Sequence, residues 1–294
     1  MSNIVFPEGI GKYTYTTGGD FIPHNFSAVG SFEYFYAYAK NNVIDINFDT
    51  SGVTNMNYMF SSCSDMIGVT LFDTSNVTDM HYMFYQCRKL SFVPLFNTSS
   101  VTTMKSMFQS SGIVEPPLFS TDNVTDMDNM FNTCTKLRSV PLFNTSNVTT
   151  MSGMFTSCSK LESIPQFDTS NVKNMNSMFT SCSKLESIPL LDCGKISSGN
   201  YANMFGSTTL NNFTTVGGFK DLGKVSSFNK PTYFLRYCPN LTKESVLNVL
   251  NNLYDRASAG YSVVTLPFHA NALALLSDEE KAIATNKGWT LATS

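Results

Sequence analysis

Phe143-Asn144-Thr145-Ser146-Asn147-Val148-Thr149-Thr150-Met151-Ser152-Gly153-Met154-Phe155-Thr156-Ser157-Cys158-Ser159-Lys160-Leu161-Glu162-Ser163-Ile164-Pro165-Gln166 is one period of a repeat. Its reading decides the fold. The dipeptide Met-Phe recurs at Met59, Met83, Met107, Met130, Met154, Met178 and Met204, in steps of 24, 24, 23, 24, 24 and 26 residues. Other columns keep the same register. One runs Val53, Val77, Val101, Val124, Val148, Val172 and Ile196. Another runs Met56, Met80, Met104, Met127, Met151 and Met175. A third runs Phe48, Phe72, Phe96, Phe119, Phe143, Phe167 and Leu191. A fixed period of this length marks a repeat architecture.

Within the unit, Val148, Met151, Met154 and Phe155 fall on one face of a short helix or 3₁₀ segment. The preceding Thr-Ser-Asn suits a cap. Residues 161–167 are apolar enough to form a strand, and Pro94, Pro117, Pro141, Pro165 and Pro189 end its pairing because proline donates no ladder bond. The expected fold is therefore α/β: a leucine-rich-repeat solenoid of 24-residue strand–turn–short-helix units. One unit cannot bury its own apolar edge, so the units must stack. Seven coils about 4.8 Å apart give a body roughly 35 Å long.

The ends differ from the middle. Residues 1–47 read as an N-terminal arm followed by a degenerate capping coil, in which Val29, Phe32 and Phe35 fall near the places of Val53, Met56 and Phe60. Regular coils follow, and the pattern returns late at Tyr233, Phe234, Cys238 and Leu241, so the solenoid spans 48–241. Residues 242–294 read as a small C-terminal α/β cap. It holds a helix over 242–256 with Thr242 as N-cap, a strand over 262–266, a capping box at Ser277 and Glu280 opening a helix that ends at Gly288, and a last strand over 289–292.

Formal net charge is −3 with 14 % charged residues, which speaks against electrostatic binding of nucleic acid. No run of 18 apolar residues predicts a membrane span. Neither a secretory leader nor a lipobox is expected at the N-terminus. Five of the seven cysteines, Cys63, Cys87, Cys134, Cys158 and Cys182, share one column with Ser111. They read as buried free thiols rather than a disulfide framework or a metal site, which fits a reducing compartment. The acidic and amide column of Asp49, Asp73, Asn97, Asn144, Asp168 and Asp192 reads as turn chemistry, each side chain bonding its own turn N–H groups.

The unit F-D-T-S-N-V-T-x-M-x-x-M-F-x-x-C-x-x-L resembles the BspA-type leucine-rich repeat of bacterial surface proteins. The tail resembles the C-terminal caps of repeat proteins encoded by gut Bacteroidales and their phages. The resemblance implies surface display, adhesion and ligand recognition, and it brings no catalytic residues. With no leader expected, a non-catalytic phage virion protein, fibre-like or decorating, is the expected function. It would be made in the host cytoplasm and would contact other virion proteins and a host-surface glycan or protein. The alternative is a cellular adhesin at the bacterial surface.

No triad, zinc motif or phosphate-binding loop occurs, and His24, His81 and His269 lie far apart in sequence. No catalytic residue, metal site or cofactor is expected. Aromatic residues concentrate in the first two regular coils. Tyr58, His81, Tyr82, Tyr85 and Phe92 form the candidate ligand surface. A second, charged surface comprises Arg138, Glu162 and Glu186 with Lys89, Lys136, Lys160 and Lys184, and its alternating signs suit a solvated face. Homo-oligomers are an expected partner state, while nucleic acid and membrane insertion are not.

Overall fold

The computed structural model describes residues 30–46, 49–197, 199–200, 203–206, 209–229 and 234–293. The expected arm over 1–21, His24, Val29, Phe48 and Tyr233 lie outside these residues. From Gly30 onward the chain winds into stacked coils. Parallel bridges join one residue per coil to its counterpart in the next, through Ser31, Asn55, Asp79, Thr103, Asp126, Thr150 and Asn174.

The expected short helix is absent from the coils. Among the described residues, helices occur only in the C-terminal part of the chain. The physical reason lies in the backbone. Two residues per coil take positive φ: Tyr58 and Ser62, Tyr82 and Gln86, Ser106 and Ser110, Asn129 and Thr133. A right-handed helix cannot pass through such residues. Tight turns replace it. Met59, Ser61 and Cys63 donate their N–H groups back to Met56, Tyr58 and Phe60, at 3.2, 2.9 and 3.2 Å. The alternate N–H groups of Met56, Tyr58, Phe60 and Ser62 reach forward to Asp79, His81, Met83 and Tyr85 of the next coil, at 2.9, 3.1, 2.9 and 2.6 Å. Every second N–H thus joins two coils, and the others hold the turn.

The strand is shorter than expected. It survives as two-residue pieces near the ends of the stack, such as Val43–Ile44 beside Gly68–Val69 and Ser187–Ile188 beside Thr215–Val216. Between them, proline removes the N–H, and the carbonyls of Pro94, Pro117, Pro141 and Pro165 instead accept from the residue two positions on, at 2.9–3.0 Å.

Side chains supply further rungs. Thr50, Thr74, Thr98, Thr121, Thr145 and Thr169 are buried, and each hydroxyl donates to a carbonyl of the following coil. The Thr-Ser-Asn segment therefore ties coils together rather than capping a helix. Asp49, Asp73, Asn97, Asn144 and Asp168 each accept from the N–H two residues on, as their turn chemistry requires.

Inside, the described valines and methionines of the columns, the phenylalanine of each Met-Phe pair and the column cysteines are fully buried. The phenyl rings form a continuous stack, Phe60–Phe84–Phe108–Phe131–Phe155–Phe179–Phe205, with centroids 5.3–6.0 Å apart. Tyr36, not Phe35, extends it into the first coil, 5.6 Å from Phe60. All seven cysteines are free and buried. Cys63, Cys87, Cys134, Cys158 and Cys182 each donate to a carbonyl of the preceding coil, at 2.9–3.1 Å.

The chain ends in a helix at Lys243–Asn252 capped by Thr242, a strand at Val264–Phe268, helices at Ala270–Ala274 and Asp278–Asn286, and a strand at Trp289–Thr293. The two strands pair in parallel. Ser277 and Glu280 form the expected capping box. Bridges Leu222–Leu253 and Leu235–Phe268 continue the pairing from the coils into this part. Pairing of this kind covers the edge that the last coil would otherwise expose. Arg256 is wholly buried here. Its guanidinium donates to Gly223 O, Val225 O and Ser262 O and lies 5.3–5.8 Å from the rings of Phe228, Tyr261 and Trp289.

Candidate functional site

The tyrosines of the candidate surface occupy the first positive-φ position of each coil. At φ near +55° the side chain leaves the turn at the same angle in successive coils. Tyr34, Tyr58 and Tyr82 are therefore stacked face to face, with centroids 4.6 Å apart at both steps and interplanar angles of 15° and 6°. Sequence reasoning missed Tyr34, although its 24-residue offset from Tyr58 was a usable signal. Beyond Tyr82 the column continues as Ser106, Asn129, Gly153 and Ser177, so the ladder ends abruptly.

Tyr85 meets Tyr82 edge-on at 5.4 Å, and Gln86 Nε2 donates to its hydroxyl at 3.0 Å. His81 lies edge-on to Tyr58 at 5.5 Å and to Tyr82 at 5.6 Å. Its Nδ1 is 2.5 Å from Asp79 Oδ1, and Asn57 Nδ2 is 3.4 Å from its Nε2. A proton on Nδ1 donated to Asp79, with Nε2 accepting from Asn57, satisfies both contacts. Four of the five candidate residues thus come together. Phe92 does not join them. It lies on the extended side of the coil, where its ring occupies the space that a Cβ on Gly68 would need.

Polar side chains continue beside the ladder. Asp128 accepts from Ser152 N at 2.7 Å and from the Thr150 hydroxyl. Burial raises the Asp126 carboxyl above its ordinary range, and its hydrogen bond from Asp128 N only partly offsets this. Burial, with the neighbouring phenols, raises Tyr58, so its hydroxyl stays protonated and can donate. Two buried oxygens here, Asn57 Oδ1 and Ser106 Oγ, have no partner within the protein. Such atoms are rare in native structures.

The rings cover one another's faces. What a ligand can meet on the middle ring is its edge and hydroxyl, not an open face for stacking. On the second surface, Lys89 pairs with Asp65 at 2.8 Å, in keeping with a solvated face. Among the described residues, no group of three or more His, Cys, Asp or Glu side chains could hold a metal ion, and no helix is long and apolar enough to cross a membrane.

The family described as "Mycoplasma protein of unknown function, DUF285" matches the chain twice, over residues 14–118 and 112–216. The crystal structure of a leucine-rich repeat protein from Bacteroides ovatus is similar at 13 % identity and a TM-score of 0.32, covering 98 % of this chain and 77 % of that one. No curated protein matches the chain.

Proposed function

The chain belongs to the DUF285 repeat family, and from that premise we propose that it is a non-catalytic recognition protein of the surface or structural kind. Its coils hold the ligand surface rigid, and the ladder of Tyr34, Tyr58 and Tyr82 with His81 and Tyr85 makes the contact. The observation that carries this reading is that, among the described residues, the face-to-face tyrosine stack runs through three coils, at Tyr34, Tyr58 and Tyr82, and stops. Core packing does not require them, since Ser106, Asn129 and Gly153 fill the same column elsewhere. Half-buried ring edges and phenolic hydroxyls, with the His81 imidazole beside them, suit a hydroxyl-bearing ligand such as a surface glycan. A polysaccharide array tests this. Binding that disappears in Tyr58→Ala, Tyr82→Ala supports the reading, and unchanged binding refutes it.

The setting we propose is a phage virion contacting a host surface. Seven unpaired thiols suit assembly in a reducing cytoplasm. Mass spectrometry of purified particles tests the setting separately. Absence of the chain from virions, with its presence on the surface of cells, would replace it with the adhesin.

A further inference from the structure

Ten large hydrophobic side chains are exposed among the described residues, and six of them gather on one side of four successive coils. Leu71, Leu95, Leu118 and Leu142 stand 59–64 % exposed, Phe92 51 % and Ile67 40 %. Each of the last three leucines directly follows a proline whose carbonyl accepts from the residue just after the leucine. This tight turn buries the phenylalanine on one side and points the leucine outward on the other. The leucines therefore repeat with the coil rise of about 4.8 Å, as an apolar ridge. Beyond Leu142 the column changes to Gln166, whose amide donates to Leu190 O at 2.7 Å, and the ridge stops.

We infer that this ridge is the interface of a two-fold dimer of the chain. The occupant follows from pitch and area. A partner meeting all four leucines in register must carry apolar groups at the same rise, and a second copy does so by construction. A two-fold axis between the second and third leucine sets Leu71 against Leu142 of the other copy and Leu95 against Leu118, an arrangement in which both copies use one patch. From their exposed fractions, the six side chains offer on the order of 500–600 Å² per copy. That is at the upper end of the largest patch on an ordinary monomer, and doubled it clears the roughly 1,000 Å² that a specific interface needs. The ridge lies on the extended side of the coils, and the tyrosine ladder lies on the turn side. Pairing would leave the ladders of both copies available, so this inference stands or falls separately from the ligand reading.

Light scattering of the full chain over a dilution series is the test. The expected result is the mass of two chains, falling to one in Leu95→Glu, Leu118→Glu as the dissociation constant rises on the order of 100-fold or more. Circular dichroism of that variant should match the parent, because both leucines are solvent-facing in the single chain, while its melting temperature should lose the dependence on protein concentration that a dimer confers. Mixing the single variants Leu95→Cys and Leu118→Cys under mild oxidation should give a covalent heterodimer, since these two positions face each other across the axis and the native thiols are buried. A parent that is monomeric throughout, a glutamate variant that stays dimeric, or a mixture of the cysteine variants that forms no covalent heterodimer would each overturn the two-fold interface.

Discussion

Phe131 sits at the middle of the ring stack and tests whether the stack couples the coils. It is wholly buried, with Phe108 at 5.7 Å and Phe155 at 5.9 Å, both within 2° of parallel. Truncation to alanine removes the ring and leaves a cavity, which costs about 3–5 kcal/mol in a core that cannot collapse. The stacked pairs add roughly 0.5–1.5 kcal/mol each beyond burial. Phe131→Leu keeps most of the apolar volume and should lose little more than the two ring pairs, about 1–3 kcal/mol. In a stack where each coil touches only its neighbours, a lost interface term is local, so its effect on cooperativity is distinctive. Urea unfolding should be a single transition in the parent and split into two in Phe131→Ala. Limited proteolysis should then cut near this coil and release two fragments. A Phe131→Ala protein that unfolds in one transition with a loss below about 1 kcal/mol would refute the coupling role. Equal losses in the leucine and alanine variants would refute the contribution of ring geometry.

The thiols should be silent in the native state. Burial pushes Cys134 and Cys182 up from 9.0 to about 12, so a thiol reagent at pH 8 should modify none of the seven before unfolding and all of them after it. Because these folded-state values lie above the unfolded ones, the stabilisation is complete below about pH 9 and is lost as pH rises toward 12. An alkaline melting series should show that decline, and a flat profile would contradict it. Replacing Arg256 with methionine leaves the Gly223, Val225 and Ser262 carbonyls without their donor and should cost roughly 2–4 kcal/mol. The fluorescence of Trp289, the single tryptophan, reports this locally, and an unshifted transition would dismiss the role. Thr133 is β-branched at φ 61°, a conformation that asparagine tolerates better. Thr133→Asn should stabilise by about 0.5–1 kcal/mol in calorimetry, whereas destabilisation would mean that the contact of its hydroxyl with Asn132 outweighs the strain.

The buried columns were legible because burial in a stacked repeat imposes the period itself. Val148, Met151, Met154, Phe155, Cys158 and Leu161 could be read as core without coordinates, and all are fully buried. The acidic and amide column was read correctly as turn chemistry, because an Asp or Asn two residues before a free N–H acts locally. The capping box at Ser277 was legible for the same reason.

The secondary structure of the coil was not legible. Val-x-x-Met-x-x-Met-Phe has helical spacing, yet a chain of turns with an inter-coil bond at every second N–H buries the same four side chains. Periodicity reports which residues go inward, not which backbone path takes them there. Positive φ at Tyr58, Ser106 or Thr133 is likewise silent in sequence, because the next coil's carbonyls hold those residues in a conformation that their own types disfavour.

The surfaces show the same division. By itself the sequence determined that aromatic residues cluster early and that the interior is a stack of equal columns. Only the tertiary structure decided that Tyr34 joins Tyr58 and Tyr82, that Phe92 belongs to the other side, and that Leu71, Leu95, Leu118 and Leu142 face water. A leucine beside a buried phenylalanine looks like core in one dimension. Which of two neighbours points inward is set by a tight turn at the proline and by the coil stacked against it, and those are contacts between residues 24 positions apart.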